Sequence, residues 1–456
     1  MNRISGRSWI VWLLVLALIG GMGFFVMEFS GNARQWVFFD GSPHVYDGMK
    51  PQEGVILDRE GKLLLDLSGN WAYSNNELLR RATLHWVGDR LGNVDAPILG
   101  RYTNEMSGYD LLNGLYSYGD APGYMNLTLS AKVQTAALEA LGDRKGTVAV
   151  YNYKTGQILC AVTTPTYDPD AVPDIDSDTT GQYDGVYVNR FTQAVFTPGS
   201  IFKLVTAAAA LETVPDILDR EFVCTGELEI GGGTVSCEAA HGDLDFENAL
   251  VYSCNCSFAQ IAQEVGGEKL QRYAETFGIT GSISFDGITT APGQLETADA
   301  AAYGLAWAGI GQHTDLINPC QYLSFVGAIA NGGAGVLPYV VERVTAGEVS
   351  YTAEPQTADR ILSLSTAQKL KEMMQRCVEV KYGAENFPDV TVCAKSGTAE
   401  KDGEAASDAL FTGFIDDPRY PLAFIVVVQE GGYGSSTCTP IISRVLQICM
   451  EVLDES

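Results

Sequence analysis

Residues 9–27 are a run of nineteen residues without a charge. About 20 apolar residues wound as a helix cross the hydrocarbon core of a bilayer. The run therefore divides the chain into a short leading tail and a large remainder. Arg3 and Arg7 precede it and Glu28 ends it. Basic residues stay on the cytoplasmic side, which predicts that the remainder lies outside. A cleaved signal peptide is the alternative. Its apolar part is only about 7–15 residues long and ends in a small-x-small site, for which Gly31-Asn32-Ala33 is a poor match. A buried core helix fits badly, because the run starts almost at residue 1. A retained single-pass anchor is the expectation.

The remainder is acidic, with 29 Lys and Arg against 56 Asp and Glu in the whole chain and a formal charge of −27. A nucleic-acid binder needs a basic face to neutralise phosphates, so that class is excluded, as is broad adhesion to anionic lipid. The hydrophobic share of 46% is enough for a sizeable core. Four histidines (His44, His85, His241, His313) are scattered, and neither H-E-x-x-H nor C-x-x-C occurs. A zinc enzyme is therefore not expected. Ten cysteines outside the cytoplasm would ordinarily suggest disulfides. Cys224 and Cys237 flank a glycine-rich stretch and are the best candidate pair, while Cys254 and Cys256 are too close to bridge each other easily. A host living without oxygen would leave all ten as free thiols.

Residues 30–45 read as a juxtamembrane connector, and 46–129 as a mixed region with short strands at 55–57 and 63–67. Helical spacing begins at 130–141. Residues 147–153 and 157–163 then read as a hairpin around Lys154-Thr155-Gly156. Helical stretches are predicted near 198–211, 246–265, 296–307, 320–330 and 366–380. Strands are predicted at 390–394, 410–415 and 422–428, and an amphipathic helix at 441–453. Strands at both ends with helices between predict an α+β sandwich, in which one mixed, mainly antiparallel sheet is covered by helices on both faces.

Three short patterns carry the chemistry. In Thr197-Pro198-Gly199-Ser200-Ile201-Phe202-Lys203, Pro198 suits a helix start and Lys203 lies one turn beyond Ser200 on the same face. A serine hydroxyl needs a base to become a nucleophile. Lys203 can serve only when neutral, so burial or a second cation must lower its pKa. This is the one S-x-x-K in the chain. Ser253-Cys254-Asn255 places two polar side chains where a turn could aim both at one cleft, Ser253 to relay a proton and Asn255 to hold a substrate amide. Ser30-x-Asn32, Ser68-x-Asn70 and Ser74-x-Asn76 share its form but not its setting among helical spacing. Lys395-Ser396-Gly397-Thr398 follows a strand-like run. Lys395 would set a fixed charge beside the cleft, and Gly397 would let a substrate backbone lie close. The N–H groups of Thr398 and Ser200 could form an oxyanion hole. Lys154-Thr155-Gly156 copies the third pattern but reads as a hairpin turn.

In this order, S-x-x-K, S-x-N and K-S/T-G resemble the signature of penicillin-binding proteins and class A β-lactamases. With its anchor, the chain looks like a class B-type penicillin-binding protein, a peptidoglycan D,D-transpeptidase. The resemblance extends to Gly54-Val55-Ile56-Leu57-Asp58-Arg59-Glu60-Gly61, Asn189-Arg190-Phe191, Gly309-Ile310-Gly311-Gln312 and Ala330-Asn331-Gly332-Gly333. Two departures stand out: Ser396 replaces the usual threonine, and Asn318-Pro319 replaces Thr-Pro.

The resemblance implies a cytoplasmic tail (1–8), an anchor (9–29), an N-terminal pedestal (30–129) and a transpeptidase domain (130–456) whose catalytic part is extracytoplasmic. It implies acyl transfer on stem peptides ending in D-Ala-D-Ala. Ser200 would be nucleophile and Lys203 its base, with Ser253, Asn255 and Lys395 as further catalytic groups. Ser396, Gly397 and Thr398 would bind substrate, and no metal or organic cofactor would be needed. β-Lactams would trap Ser200, and a membrane glycan polymerase is an expected partner in cell elongation, division or sporulation. A β-lactamase, and a β-lactam sensor or non-catalytic scaffold, are the competing readings.

Overall fold

The computed structural model describes residues 2–37, 46–47, 50–51, 54–68, 71–106, 108–110, 114–116, 123–400 and 406–455. Its first element is the helix Asn2–Val37. The large apolar side chains from Trp9 to Met27 are exposed on it, and residues 8–32 are long and apolar enough to cross a membrane. The expected connector is helical up to residue 37, and residues 38–45 lie outside the described ones.

The central sheet has five strands, ordered Ile158–Thr164, Gly146–Asn152, Leu422–Val428, Asp408–Ile415 and Val392–Ala399. Every neighbouring pair is antiparallel, and the parallel pair of the mixed, mainly antiparallel arrangement joins Val55–Leu57 to Tyr124–Leu127 in a second sheet. Helices Ala131–Leu141 and Gly434–Glu455 pack on one face, and Pro319–Ala330 and Leu364–Cys377 on the other. Layers on both faces explain why the strands Gly146–Asn152 and Leu422–Val428 are buried throughout, and why the second is apolar at every position. The hairpin turn at 154–156 is fixed by Asn152, whose Oδ1 accepts from the N–H groups of Lys154 (2.8 Å) and Thr155 (3.0 Å).

Two long-range ties set the rest. The strand Val392–Ala399 is the last of its sheet, and the turn Gly199–Phe202 packs against it. A six-stranded sheet joins Ala72–Tyr73, Leu63–Asp66, Val55–Leu57 and Tyr124–Leu127 to Val341–Ala346 and Glu348–Thr352. The N-terminal region thus borrows two strands from far along the chain. Asp58 couples it to the rest of the chain, with Oδ2 accepting from the N–H of Ala131 at 2.9 Å at the start of the helix Ala131–Leu141.

Candidate active site

The helix expected from Pro198 starts differently. Gly199–Phe202 is a 3-10 turn and the α-helix is Lys203–Thr213. In a 3-10 turn residues i and i+3 eclipse, which brings Ser200 Oγ to 3.1 Å from Lys203 Nζ. Gly199 is needed for two reasons. Its φ is +53°, and an added Cβ would lie 2.4 Å from the Thr398 carbonyl oxygen.

The helical stretch expected over 246–265 is broken in two, Phe246–Val251 and Asn255–Val265. The break holds the S-x-N pattern. Ser253 sits at φ +53°, a left-handed conformation that a non-glycine residue adopts only under constraint. That turn aims Ser253 and Asn255 at Lys203.

Lys203 is fully buried, and four oxygens surround its Nζ. Two are pure acceptors, the Ser253 carbonyl at 2.6 Å and Asn255 Oδ1 at 2.7 Å. Two are hydroxyls, Ser200 Oγ at 3.1 Å and Ser253 Oγ at 3.2 Å. A neutral amine has two N–H donors and one lone pair. The pure acceptors take both donors, which leaves the lone pair for a hydroxyl proton. Burial, followed by the charge of Lys395, lowers the Lys203 pKa to about 7. The cage therefore fits the neutral form.

Lys395 is buried too and donates to Ser253 Oγ at 3.0 Å and to the Ser396 carbonyl at 2.9 Å. Burial lowers its pKa to about 8. Ser253 Oγ thus bridges the two lysines. Asn255 has a different first task from the substrate contact expected of it. It accepts from Lys203, and its Nδ2 donates to the Ser236 carbonyl at 3.0 Å, which fixes the amide's orientation.

Gly397 also owes its identity to something other than substrate. Its absent Cβ would lie 2.8 Å from the Pro198 carbonyl and 3.1 Å from the Ile201 nitrogen. The glycine lets the strand close on the turn that carries Ser200. Gly397→Ala is expected to lower the acylation rate with labelled penicillin by about 10–100-fold through a shift of order 1 Å. An unchanged rate would show that the turn tolerates the displacement.

Ser396 stands where a threonine was the family expectation. Its Oγ lies 2.9 Å from Tyr382 Oη, which also accepts from the Ser396 N–H at 2.9 Å. Tyr382 was missed from sequence. It comes from a one-turn π-helix Val378–Tyr382 that extends the helix Leu364–Cys377, and no short pattern announces it. Thr398 Oγ1 accepts from the Gly434 N–H at 3.3 Å. The Gly309-Ile310-Gly311-Gln312 segment lies under the turn, where the Gly311 carbonyl accepts from the Gly199 N–H at 2.8 Å. Asn318 has a clear role in place of threonine. It caps the helix Pro319–Ala330 and donates to the carbonyls of Thr192 and Ala194, each at 2.9 Å.

All ten cysteines are free, so the expected Cys224–Cys237 bond is not formed. Cys224, Cys237, His241 and Cys254 instead cluster behind the S-x-N turn.

Comparison with known proteins gives concordant results. Residues 146–447 match the family model of the penicillin binding protein transpeptidase domain. The chain is similar to the peptidoglycan D,D-transpeptidase PbpA of Mycobacterium tuberculosis, with 25% identity over 414 residues, 83% of this chain and 84% of the relative. It is 27% identical to the stage V sporulation protein D of Bacillus subtilis over 349 residues, 71% of this chain and 53% of that one. Among solved structures, the D,D-transpeptidase domain of a peptidoglycan glycosyltransferase from Eggerthella lenta aligns with a TM-score of 0.73 at 27% identity, covering 89% of this chain and 99% of that one. The ceftriaxone acyl-enzyme complex of penicillin-binding protein A from M. tuberculosis shares the fold, with a TM-score of 0.74 at 22% identity, covering 87% of this chain and 98% of that one.

Proposed function

Because this chain belongs to the penicillin-binding protein transpeptidase family, we propose that it cross-links peptidoglycan stem peptides through an acyl-enzyme on Ser200. The observation that carries the reading is the double bridge at Ser253 Oγ, which lies 3.2 Å from Lys203 Nζ and 3.0 Å from Lys395 Nζ, with Ser200 Oγ 3.1 Å from the first amine.

Ser200 Oγ attacks the carbonyl carbon of the penultimate D-Ala, and its proton passes to the lone pair of Lys203. The N–H groups of Ser200 and Thr398 receive the oxyanion. On collapse the C–N bond breaks. The departing D-Ala amine takes a proton delivered from Lys203 through Ser253, and Lys395 biases that transfer by its charge. Ser396 and Thr398 offer hydroxyls to the terminal carboxylate. An amine of a neighbouring stem then attacks the Ser200 ester, and Ser200 leaves with its proton restored. β-Lactams, which mimic the terminal dipeptide, stop after the first step.

Residues 1–8 are assigned to the cytoplasm, 9–29 to the membrane, 30–129 to a pedestal and 130–456 to the extracytoplasmic transpeptidase domain. The apolar helix and the family match at 146–447 support this division. A membrane glycan polymerase is the proposed partner.

Labelled penicillin tests the reading against its rivals. A transpeptidase forms an adduct that decays slowly. Rapid release would favour a β-lactamase, absent labelling a scaffold, and a stable adduct without turnover of a D-Ala-D-Ala peptide a β-lactam sensor. The pH profile is a second prediction. Neutral Lys203 is the reactive form, and its pKa stands at about 7. Acylation is therefore expected to fall about tenfold per pH unit below that point. Above about 8, Lys395 loses its charge and the rate turns down again. Charged or titratable neighbours that act on Lys203 are Lys395, Cys237, Cys254 and Glu238. A second-order rate constant unchanged at mildly acid pH would contradict neutral Lys203 as base.

A further inference from the structure

The geometry points to a structural zinc site made of Cys224, Cys237, His241 and Cys254, which clamps the Ser253-Cys254-Asn255 turn to the hairpin lobe over 221–245. The four ligand atoms lie within 4.8 Å of one another. His241 Nδ1 is 3.6 Å from Cys224 Sγ and 3.5 Å from Cys237 Sγ, and Cys237 Sγ is 3.8 Å from Cys254 Sγ. A tetrahedral zinc with Zn–S of about 2.3 Å and Zn–N of about 2.0–2.1 Å requires S···N edges near ~3.5 Å and S···S edges near ~3.8 Å. The distances match those edges. They are far too long for a disulfide, whose sulfurs sit about 2.0 Å apart.

The fold builds this constellation from four places. Cys224 ends the strand Glu221–Cys224, which pairs it with Gly242, next to His241. Cys237 follows the strand Gly233–Ser236. Cys254 caps the helix Asn255–Val265. The spacing C-x12-C-x3-H-x12-C contains no short metal motif, so sequence reading missed it and expected no metal. Zinc thiolates commonly accept N–H and O–H hydrogen bonds that hold them in place. Here Cys237 Sγ accepts from the Asn255 N–H at 3.3 Å, and Cys254 Sγ accepts from the Ser257 N–H at 3.4 Å and Ser257 Oγ at 3.1 Å. Four protein ligands leave no open coordination position, so the ion takes no part in the chemistry. Three thiolates and one imidazole select zinc among common divalent ions. Its task is positional. It fixes Cys254, and therefore the strained Ser253 and the Asn255 amide on either side of it.

The test uses the full chain in detergent, expressed with zinc supplied. Elemental analysis is expected to give about one zinc per chain. Cys237→Ser and His241→Ala should each lose most of it, while Cys449→Ser, on the far face of the sheet, should retain it. Cobalt substituted into the unmutated chain gives a readout that needs no variant to fold. Thiolate-to-cobalt charge transfer and intense tetrahedral d–d bands are expected. Stripping the metal should slow penicillin acylation by about 10–100-fold, with recovery when zinc is restored. A chain without bound metal and without the cobalt spectrum, or one with a disulfide among these cysteines, would overturn the site. Zinc bound but acylation unchanged on its removal would overturn the positioning role. Only the acylation readout rests on the acyl-transfer reading: a chain that holds zinc and never labels would sink that reading and leave the metal site standing.

Discussion

Lys203→Arg is expected to slow acylation by about 10²–10⁴-fold, the contribution of a well-placed general base. The substitution puts a long, permanently cationic side chain in place of an amine that can be neutral, and that is its value. A guanidinium cannot give up its proton in a protein and has no acceptor lone pair. The Lys203 cage has two pure acceptors for N–H groups, the Ser253 carbonyl and Asn255 Oδ1. Arginine could satisfy both and still offer nothing to the Ser200 proton. A positively charged holder of Ser200 would survive the change in function, whereas a base would not. Retained acylation in Lys203→Arg would remove Lys203 from the base role. The rate of adduct formation with labelled penicillin, measured alongside the thermal midpoint, separates lost chemistry from lost fold.

Ser200→Ala is expected to form no adduct at all. Turnover of a D-Ala-D-Ala peptide should fall by about 10⁶-fold, the scale seen when an acyl-enzyme nucleophile is deleted. Stability should stay within about 1 kcal/mol. The side chain is half-buried, and its hydroxyl meets Lys203 at 3.1 Å while that amine keeps three other oxygens. A stable, folded Ser200→Ala chain that still labels would place the nucleophile elsewhere. Free thiols are the obvious competitors. They are buried apart from half-buried Cys237, so residual labelling would point there.

The local parts of this architecture were readable from the chain. The uncharged run, the hairpin at 146–164 and the late strands are encoded in contiguous periodicity. The S-x-x-K pattern is legible because one helical turn, α or 3-10, brings i and i+3 together. What was hidden depends on contacts far apart in sequence. The break at Tyr252 to Cys254 interrupts apolar spacing that continues on both sides of it, so periodicity alone draws one helix. Tyr382 reaches Ser396 from another element. Gly397 looked like a substrate contact, and only the proximity of Pro198 and Ile201 shows the other reason for it. The strands Val341–Ala346 and Glu348–Thr352 were not predicted. Val341–Ala346 pairs with Tyr124–Leu127, more than 200 residues earlier, and sheet pairing at that separation leaves no local trace; Glu348–Thr352 then pairs with Val341–Ala346 as a hairpin. The four metal-capable residues were hidden in the same way, since the lobe's own hairpins assemble them.

Peptide mapping by mass spectrometry of the penicillin-treated full chain tests the central claim most directly. The account predicts a single drug mass on the peptide bearing Ser200, persisting for hours and absent from Ser200→Ala. The same mass on another residue, or equal labelling of Ser200→Ala, would contradict it.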